Sequence, residues 1–306
     1  MRSGFVEGRH RGSVVGLSAD GAVVLLAGDP DHPIFPRSSS KPLQAAAMLE
    51  LGLDLDGELL ALAASSHSGE PFQLHGVRAI LASVGLDETA LQTPAEEPLD
   101  PIAAHDRVRA GLAPDPVTMN CSGKHAAMLA ACVVNGWDVG SYLDPAHPLQ
   151  QGIRSAIERF AGQQVSAVGV DGCGAPVLAL SLTALAGAVR GCVLAEPGTA
   201  RRRVADAMRA YPEWVGGTRR DVTALMRGVP GLMAKDGAEG VAVAAVADGR
   251  TVAVKIDDGA ARARQVVTTE ALRAIGVDAP VLAEQRIFWL SGGGRPVGQV
   301  RPVPLT

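Results

Sequence analysis

Lysine is nearly absent from this chain. Of its 28 basic residues, only Lys41, Lys124, Lys235 and Lys255 are lysines, and the rest are arginines. Aromatic residues make up 3% of the 306 positions, which leaves no platform for stacking bases or sugar rings. A net charge of -4 argues against nucleic acid or an anionic membrane as the partner. No run of about 18 uncharged apolar residues occurs, so no transmembrane helix is expected. The opening residues lack a hydrophobic leader segment, and a cytoplasmic location with reduced cysteines is the expectation. The four cysteines include no Cys-x-x-Cys pair, which excludes a zinc ribbon.

What is present suffices for a large core, since 47% of the residues are hydrophobic. The length fits one large domain or two closely joined ones. Residues 13–28 read as a hairpin around Asp20-Gly21, and 240–257 as a second around Asp248-Gly249, because such pairs adopt the tight turns that match strand twist. Helical patterns cover 43–51, 57–64, 73–84, a stretch after Asn120, 148–160, 177–189, 198–210 and 260–275. A short strand is expected at 165–170, and the C-terminal tail returns to a strand before Pro302. Strands at both ends with helices between them suggest an antiparallel sheet assembled from the two termini around an inserted helical region.

Three of the four lysines stand in small polar clusters: Ser38-Ser39-Ser40-Lys41, Asn120-Cys121-Ser122-Gly123-Lys124-His125 and Lys235-Asp236-Gly237. Arginine keeps its proton in a protein, whereas a buried lysine can lose one. Compositional bias toward arginine explains the missing surface lysines but not the company the survivors keep. Three-residue spacing puts Ser38 and Lys41 on one face of a helical turn, and Pro42 restricts that turn to the start of a helix, possible as a 3₁₀ turn. A serine attacks only after a base takes its proton, and a free lysine, with a pKa of ~10.4, is a poor base at neutral pH. Burial and neighbouring cations such as Arg37 or Lys235 would make it a better one. The plainer reading of the cluster alone is a helix cap. Serine hydrolases of the penicillin-recognising type, however, combine Ser-x-x-Lys, Ser-x-Asn and Lys-Thr-Gly. Ser66-His67-Ser68 and Lys235-Asp236-Gly237 occupy the second and third places in order, with Ser68 where Asn stands and Asp236 where Thr stands.

Cys121 and Cys173 each fall in a Gly-containing turn at the end of a regular element. Two thiolates converging from distant turns could hold a soft metal such as zinc, with a neutral Lys124 or His125 as a nitrogen donor. Cys132 and Cys192 sit in apolar contexts and read as small core residues.

Taken together, the segments Phe35-Pro36-Arg37-Ser38-Ser39-Ser40-Lys41-Pro42-Leu43-Gln44, Ser66-His67-Ser68-Gly69-Glu70, Asn120-Cys121-Ser122-Gly123-Lys124-His125, Asp171-Gly172-Cys173-Gly174-Ala175-Pro176 and Lys235-Asp236-Gly237-Ala238-Glu239-Gly240 resemble the rhizobial-type, thermolabile (class 3) L-asparaginases. The resemblance implies an α/β fold of the α+β type, similar to serine β-lactamases and penicillin-binding proteins. Residues 1–306 would form one such unit, with the sheet in about 1–35 and 236–306 and the helical and mixed part in about 36–235. It also implies a homodimer, L-asparagine as the small-molecule substrate, and two Ser-Lys pairs: Ser38 with Lys41, and Ser66 with Lys235. Ser66 is preferred to Ser68 because it aligns with the first place of Ser-x-Asn. Cys121, Lys124 and Cys173 would hold Zn²⁺. Arg37, His67, Glu70 and Asp171 would line the substrate pocket, Arg37 and Glu70 complementing the charges of the amino acid.

On this basis neutral Lys41 frees Ser38 to attack the side-chain amide, while Ser66 and Lys235 relay a proton to the departing ammonia. Backbone N–H groups near the helix start stabilise the oxyanion. The rivals are another Ser-Lys hydrolase (a glutaminase, an esterase or a β-lactamase) and a non-catalytic protein that binds asparagine or zinc.

Overall fold

The computed structural model describes residues 1–305. Strands Gly12–Leu17 and Val23–Ala27 form the N-terminal hairpin, and Gly21 at the turn has φ +95°, a conformation that suits a residue without Cβ. Gly12–Leu17 then pairs with Thr251–Ile256, which pairs with Val241–Ala245, which pairs with Met233–Gly237. The result is a five-stranded, wholly antiparallel sheet built from the two ends of the chain. Every residue of Val241–Ala245 is buried. Its alternating Val and Ala side chains leave room for covering elements on both faces, and helices Leu182–Leu194 and Ala261–Ala274 pack against it. Helices Ser122–Asn135, Pro148–Ala161 and Ala200–Ala210 pack around Lys41–Glu50, where nine of ten residues are buried.

The expected helix at 177–189 begins only at Leu182, where the Ser181 hydroxyl accepts from the Ala184 N–H as its N-cap. The residues before it form a short strand, Pro176–Leu178, against Val168–Val170. The expected strand at 165–170 is thus confined to Val168–Val170, one arm of a short hairpin that closes over Asp171–Ala175. The tail also differs from a single returning strand. Phe288–Gly292 and Arg295–Val300 fold on each other as a hairpin outside the main sheet, turning at Gly293 and Gly294, both with positive φ. No helix among the described residues is long and apolar enough to cross a membrane.

The Ser-x-x-Lys segment opens as a 3₁₀ turn, Arg37–Ser40, that runs straight into helix Lys41–Glu50 with Pro42 in its first turn. Arg37 enters the turn at φ +50°, an uncommon backbone for a side chain with Cβ, and such strain is often kept at functional positions. The edge strand Met233–Gly237 lies against this turn. A Cβ on Gly237 would stand 2.8 Å from Pro36 O and 3.1 Å from Ser39 N, so only glycine allows the approach.

Candidate active site

The fold brings the three lysine clusters together. Lys41, Lys124 and Lys235 are each 1% exposed, although lysine is almost never fully buried unless paired. The Lys41 amine donates to Ser66 Oγ at 3.1 Å, to Cys121 Sγ at 3.1 Å and to the Ser65 carbonyl. It makes no hydrogen bond to Ser38 among the described residues. Ser38 is half-buried on the preceding turn, while the loop after helix Gly57–Ala63 offers Lys41 two acceptors in the interior and Cys121, at the head of helix Ser122–Asn135, offers a third. Lys235 likewise turns away from Ser66. Its amine donates to Asp236 O at 2.7 Å and to Asp236 Oδ1 at 3.1 Å. The Ser-Lys hydrogen bond of this structure therefore joins Lys41 to Ser66, and neither expected pair is formed as drawn.

The second serine motif is arranged so that its members do different work. Ser68 Oγ donates to Gly216 O at 2.6 Å, which commits it to the backbone, whereas Ser66 Oγ faces Lys41. His67 is fully buried, and its Nδ1 accepts from the Gly69 N–H at 3.1 Å. The ring proton is then on Nε2, which donates to Ser122 Oγ at 2.7 Å, and Ser122 donates onward to Val117 O at 2.7 Å. Burial, with Lys41 adding to it, brings the His67 pKa down to about 3, so the ring is neutral and braces the loop. Glu70 caps helix Pro71–Ala82 and accepts from Thr218 N at 2.7 Å and Thr218 Oγ1 at 2.9 Å. Arg37 Nε donates to Asp171 Oδ1 at 2.7 Å, so these two expected substrate contacts are joined to each other across the turn.

Cys121 and Cys173 come together from helix start and hairpin, in a small buried cluster with Met119 and Ala175. Both are free thiols. Lys124 Nζ donates to Cys173 Sγ at 3.4 Å. A hydrogen bond from Cys121, helped by the charge of Lys124, holds the Cys173 thiol far below its ordinary pKa, and Cys121 is raised in turn by that bond and by burial. Burial opposes the charge of Lys124, but the sulfurs of Cys173 and Cys121 outweigh it and raise its pKa. His125 lies beside them. Its Nδ1 is bonded to Tyr142 OH at 2.7 Å and its buried Nε2 has no protein partner among the described residues. Two sulfurs and a lysine nitrogen are a donor set that suits zinc. No three His, Cys, Asp or Glu side chains converge among the described residues, so a metal bound here would need the lysine.

Two features lay outside the sequence reading. Thr218 has no motif to mark it and is found only because its loop folds onto Glu70. Asp236 is visible as the middle residue of Lys-x-Gly, but its burial among Lys235, Arg220 and Arg264 is a tertiary fact. A cavity of about 770 Å³ lined by His10, Ser13, Lys255 and Val303 lies elsewhere and shares no residue with the lysine cluster.

A buried amine on a serine hydroxyl, a second lysine on the strand beside the Ser-x-x-Lys turn, and a sulfur pocket adjoining the first amine are the parts of a Ser-Lys amidohydrolase. The chain belongs to the L-asparaginase II family, whose model matches residues 1–302. No curated protein matches it. Among solved structures it is similar to a β-lactamase (Mb2281c) from Mycobacterium bovis, at 15% identity over 90% of this chain and 95% of that one, with a TM-score of 0.45. It is also similar to the protein Mglu in its native form, at 16% identity over 87% of this chain and 62% of that one, with a TM-score of 0.44, and to a β-lactamase from Burkholderia vietnamiensis, at 14% over 91% of each chain, with a TM-score of 0.36. Superpositions this loose carry no weight, and the architecture stands on the strand order described above.

Proposed function

We propose that this amidohydrolase releases ammonia from the side chain of L-asparagine through an acyl-enzyme on Ser38. The observation that carries the reading is the buried Lys41 amine, one turn after Ser38 and hydrogen-bonded to Ser66, which can pass on a proton. Ser38 stands three residues before Lys41, half-buried, on a turn whose backbone N–H groups lead the helix. The reading requires the Ser38 hydroxyl to move within reach of the amine, which among the described residues bonds Ser65, Ser66 and Cys121 instead. Lys41 takes that proton as Ser38 Oγ bonds to the amide carbon. N–H groups of the turn stabilise the oxyanion. As the C–N bond breaks, Ser66 passes a proton from Lys41 to the leaving nitrogen, and Lys235 supports the transfer from the edge strand Met233–Gly237. Water then cleaves the ester by the reverse relay.

Zinc held by Cys121, Lys124 and Cys173 would supply a Lewis acid for the amino or carboxylate end of the substrate. Arg37 and Glu70 complement that end by charge, and the pocket functions in a homodimer.

A second reading has Ser66 as the nucleophile, because it is the serine already bonded to a lysine. Ammonia release by the purified protein from asparagine and glutamine, beside hydrolysis of a chromogenic lactam, tests the substrate. Asparagine is expected to be turned over fastest, and a protein that acts on the lactam or glutamine in preference contradicts the proposal. A pre-steady-state burst of ammonia that survives Ser38→Ala but is lost in Ser66→Ala would favour the second reading.

A further inference from the structure

Consecutive strand residues point to opposite faces of a sheet, yet the Lys235 amine turns back along its strand to the neighbouring residue. It donates to Asp236 O at 2.7 Å and Oδ1 at 3.1 Å. The other carboxylate oxygen, Oδ2, accepts from Arg220 Nη2 at 2.5 Å, and Arg264 Nη2 stands 3.9 Å from it. Arg264 also donates to Asp221 Oδ2 at 2.8 Å, which fixes it at the head of helix Asp221–Gly228. Asp236 is 7% exposed and Arg264 is 8% exposed. A carboxylate so buried is tolerated only when paired, and this one is shared among three cations. Ser39 Oγ donates to Lys235 O at 3.3 Å, tying the same strand to the Ser-x-x-Lys turn.

We propose that Asp236 is a positioning residue of the site: held by Arg220 and Arg264, its carboxylate anchors the Lys235 amine beside the Ser38–Ser40 turn and keeps it able to carry a proton. This rests on the reading of Lys235 as a participant in proton transfer. Without the carboxylate, the charged groups acting on Lys235 are Lys41 from the opening helix and Arg220 at the start of its neighbouring helix, both cations. Arg37, on the turn packed against this strand, is directed to Asp171 instead. Among the described residues Arg264 pairs with Asp236 and Asp221 alone. Burial is the main cause that brings the Lys235 pKa down to about 8, Asp236 resists it, and Lys41 and Arg220 reinforce it. Removing the resisting charge lowers the pKa further, leaving an amine that is neutral at neutral pH and has no proton to give.

The scarcity of lysine makes the test direct. Protein labelled with ¹³C at lysine Cε has four lysine signals, and the one lost in Lys235→Arg belongs to Lys235. In the wild type that signal is expected to titrate near pH 8. In Asp236→Asn the midpoint is expected to fall by about 1 unit or more, the effect of losing an opposite charge at this range. A midpoint that stays or rises overturns the proposal. Should Asp236→Asn fail to fold, Arg220→Gln removes a cation from the same carboxylate and is expected to raise the midpoint, and no rise overturns the proposal. With asparagine, Asp236→Asn is expected to lose on the order of 10–100-fold in kcat, as small misplacements of reacting groups do. KM should stay within a few-fold, the acid limb of the pH profile should move to lower pH, and Asp236→Glu should restore part of the rate. A purely structural role would lower thermal stability and leave both titrations in place. The resonance needs no substrate. An inactive wild type with a displaced Asp236→Asn midpoint sinks the proposed function and supports the anchoring role, and an active wild type with an unmoved midpoint does the reverse.

Discussion

Lys124 and Lys235 are buried to the same depth, 1% exposed each, and they are driven in opposite directions. At Lys235 burial outweighs the single carboxylate, and Lys41 and Arg220 add to it, so its pKa falls to about 8. At Lys124 the two sulfurs and Asp171 outweigh burial, so its pKa rises. Depth alone does not make an amine a base. The sign of its neighbours does, and Lys41 is near both: its charge acts on Lys235, and it touches Cys121, on which Lys124 also acts, as well as Ser66. The strand lysine is suited to proton transfer near neutrality. The helix lysine is suited to pairing with sulfur, and would reach a metal only by releasing its proton.

The largest effect expected from breaking this contrast is on catalysis. Lys41→Ala, which removes the group common to both sides, is expected to lower kcat for ammonia release by roughly 10²–10⁴-fold, the usual share of general acid–base catalysis. Steady-state kinetics with retained near-wild-type kcat would remove Lys41 from the mechanism. Next, Gly237→Ala pushes a methyl into Pro36 O and Ser39 N and should destabilise the fold by about 1–3 kcal/mol, as overpacking does. It should also depress activity, because the strand carrying Lys235 is forced off the serine turn. Denaturant melts with unchanged midpoint would mean the approach is looser than described.

A smaller effect separates Lys235 from an ordinary surface lysine. Its folded pKa of about 8 lies below the ~10.4 of an unfolded lysine. Between those values the unfolded chain binds more protons, so the stability contributed through this group rises as pH rises from about 8 to 10. Lys235→Met escapes that cost. Its advantage over the wild type in denaturant midpoint should therefore be largest below pH 8 and shrink toward pH 10, and a constant difference would contradict the burial account. The smallest effect concerns the motif serines. Ser68→Ala removes one hydrogen bond to Gly216 O and should cost about 1 kcal/mol of stability with kcat within a few-fold of wild type, whereas Ser66→Ala should damage turnover.

Much of this arrangement was legible from residue types in order. The hairpin signals at Asp20-Gly21 and Asp248-Gly249 marked the strands that join the termini. The Gly- and Ser-flanked lysines marked the pocket, because a residue type so scarce is informative wherever it survives. Cys121, Lys124 and Cys173 do meet, over a separation of 49 residues between Lys124 and Cys173. The partners within the pocket were not legible. Three-residue spacing suggested that Lys41 faces Ser38, but a lysine has four methylenes, and its amine settles where buried acceptors are densest. Nor could spacing show that both His67 nitrogens are spent on Gly69 and Ser122, or that Thr218 arrives at Glu70 across 148 residues. Those contacts depend on loop paths, which carry no periodic signal.

Mass mapping of the acyl-enzyme tests the central claim most directly. Protein quenched in acid during turnover of asparagine, then digested, should carry an aspartyl ester on the peptide containing Ser38. The same adduct found on the Ser66 peptide, or no adduct under conditions where the ester would persist, would contradict a nucleophile at Ser38 served by Lys41.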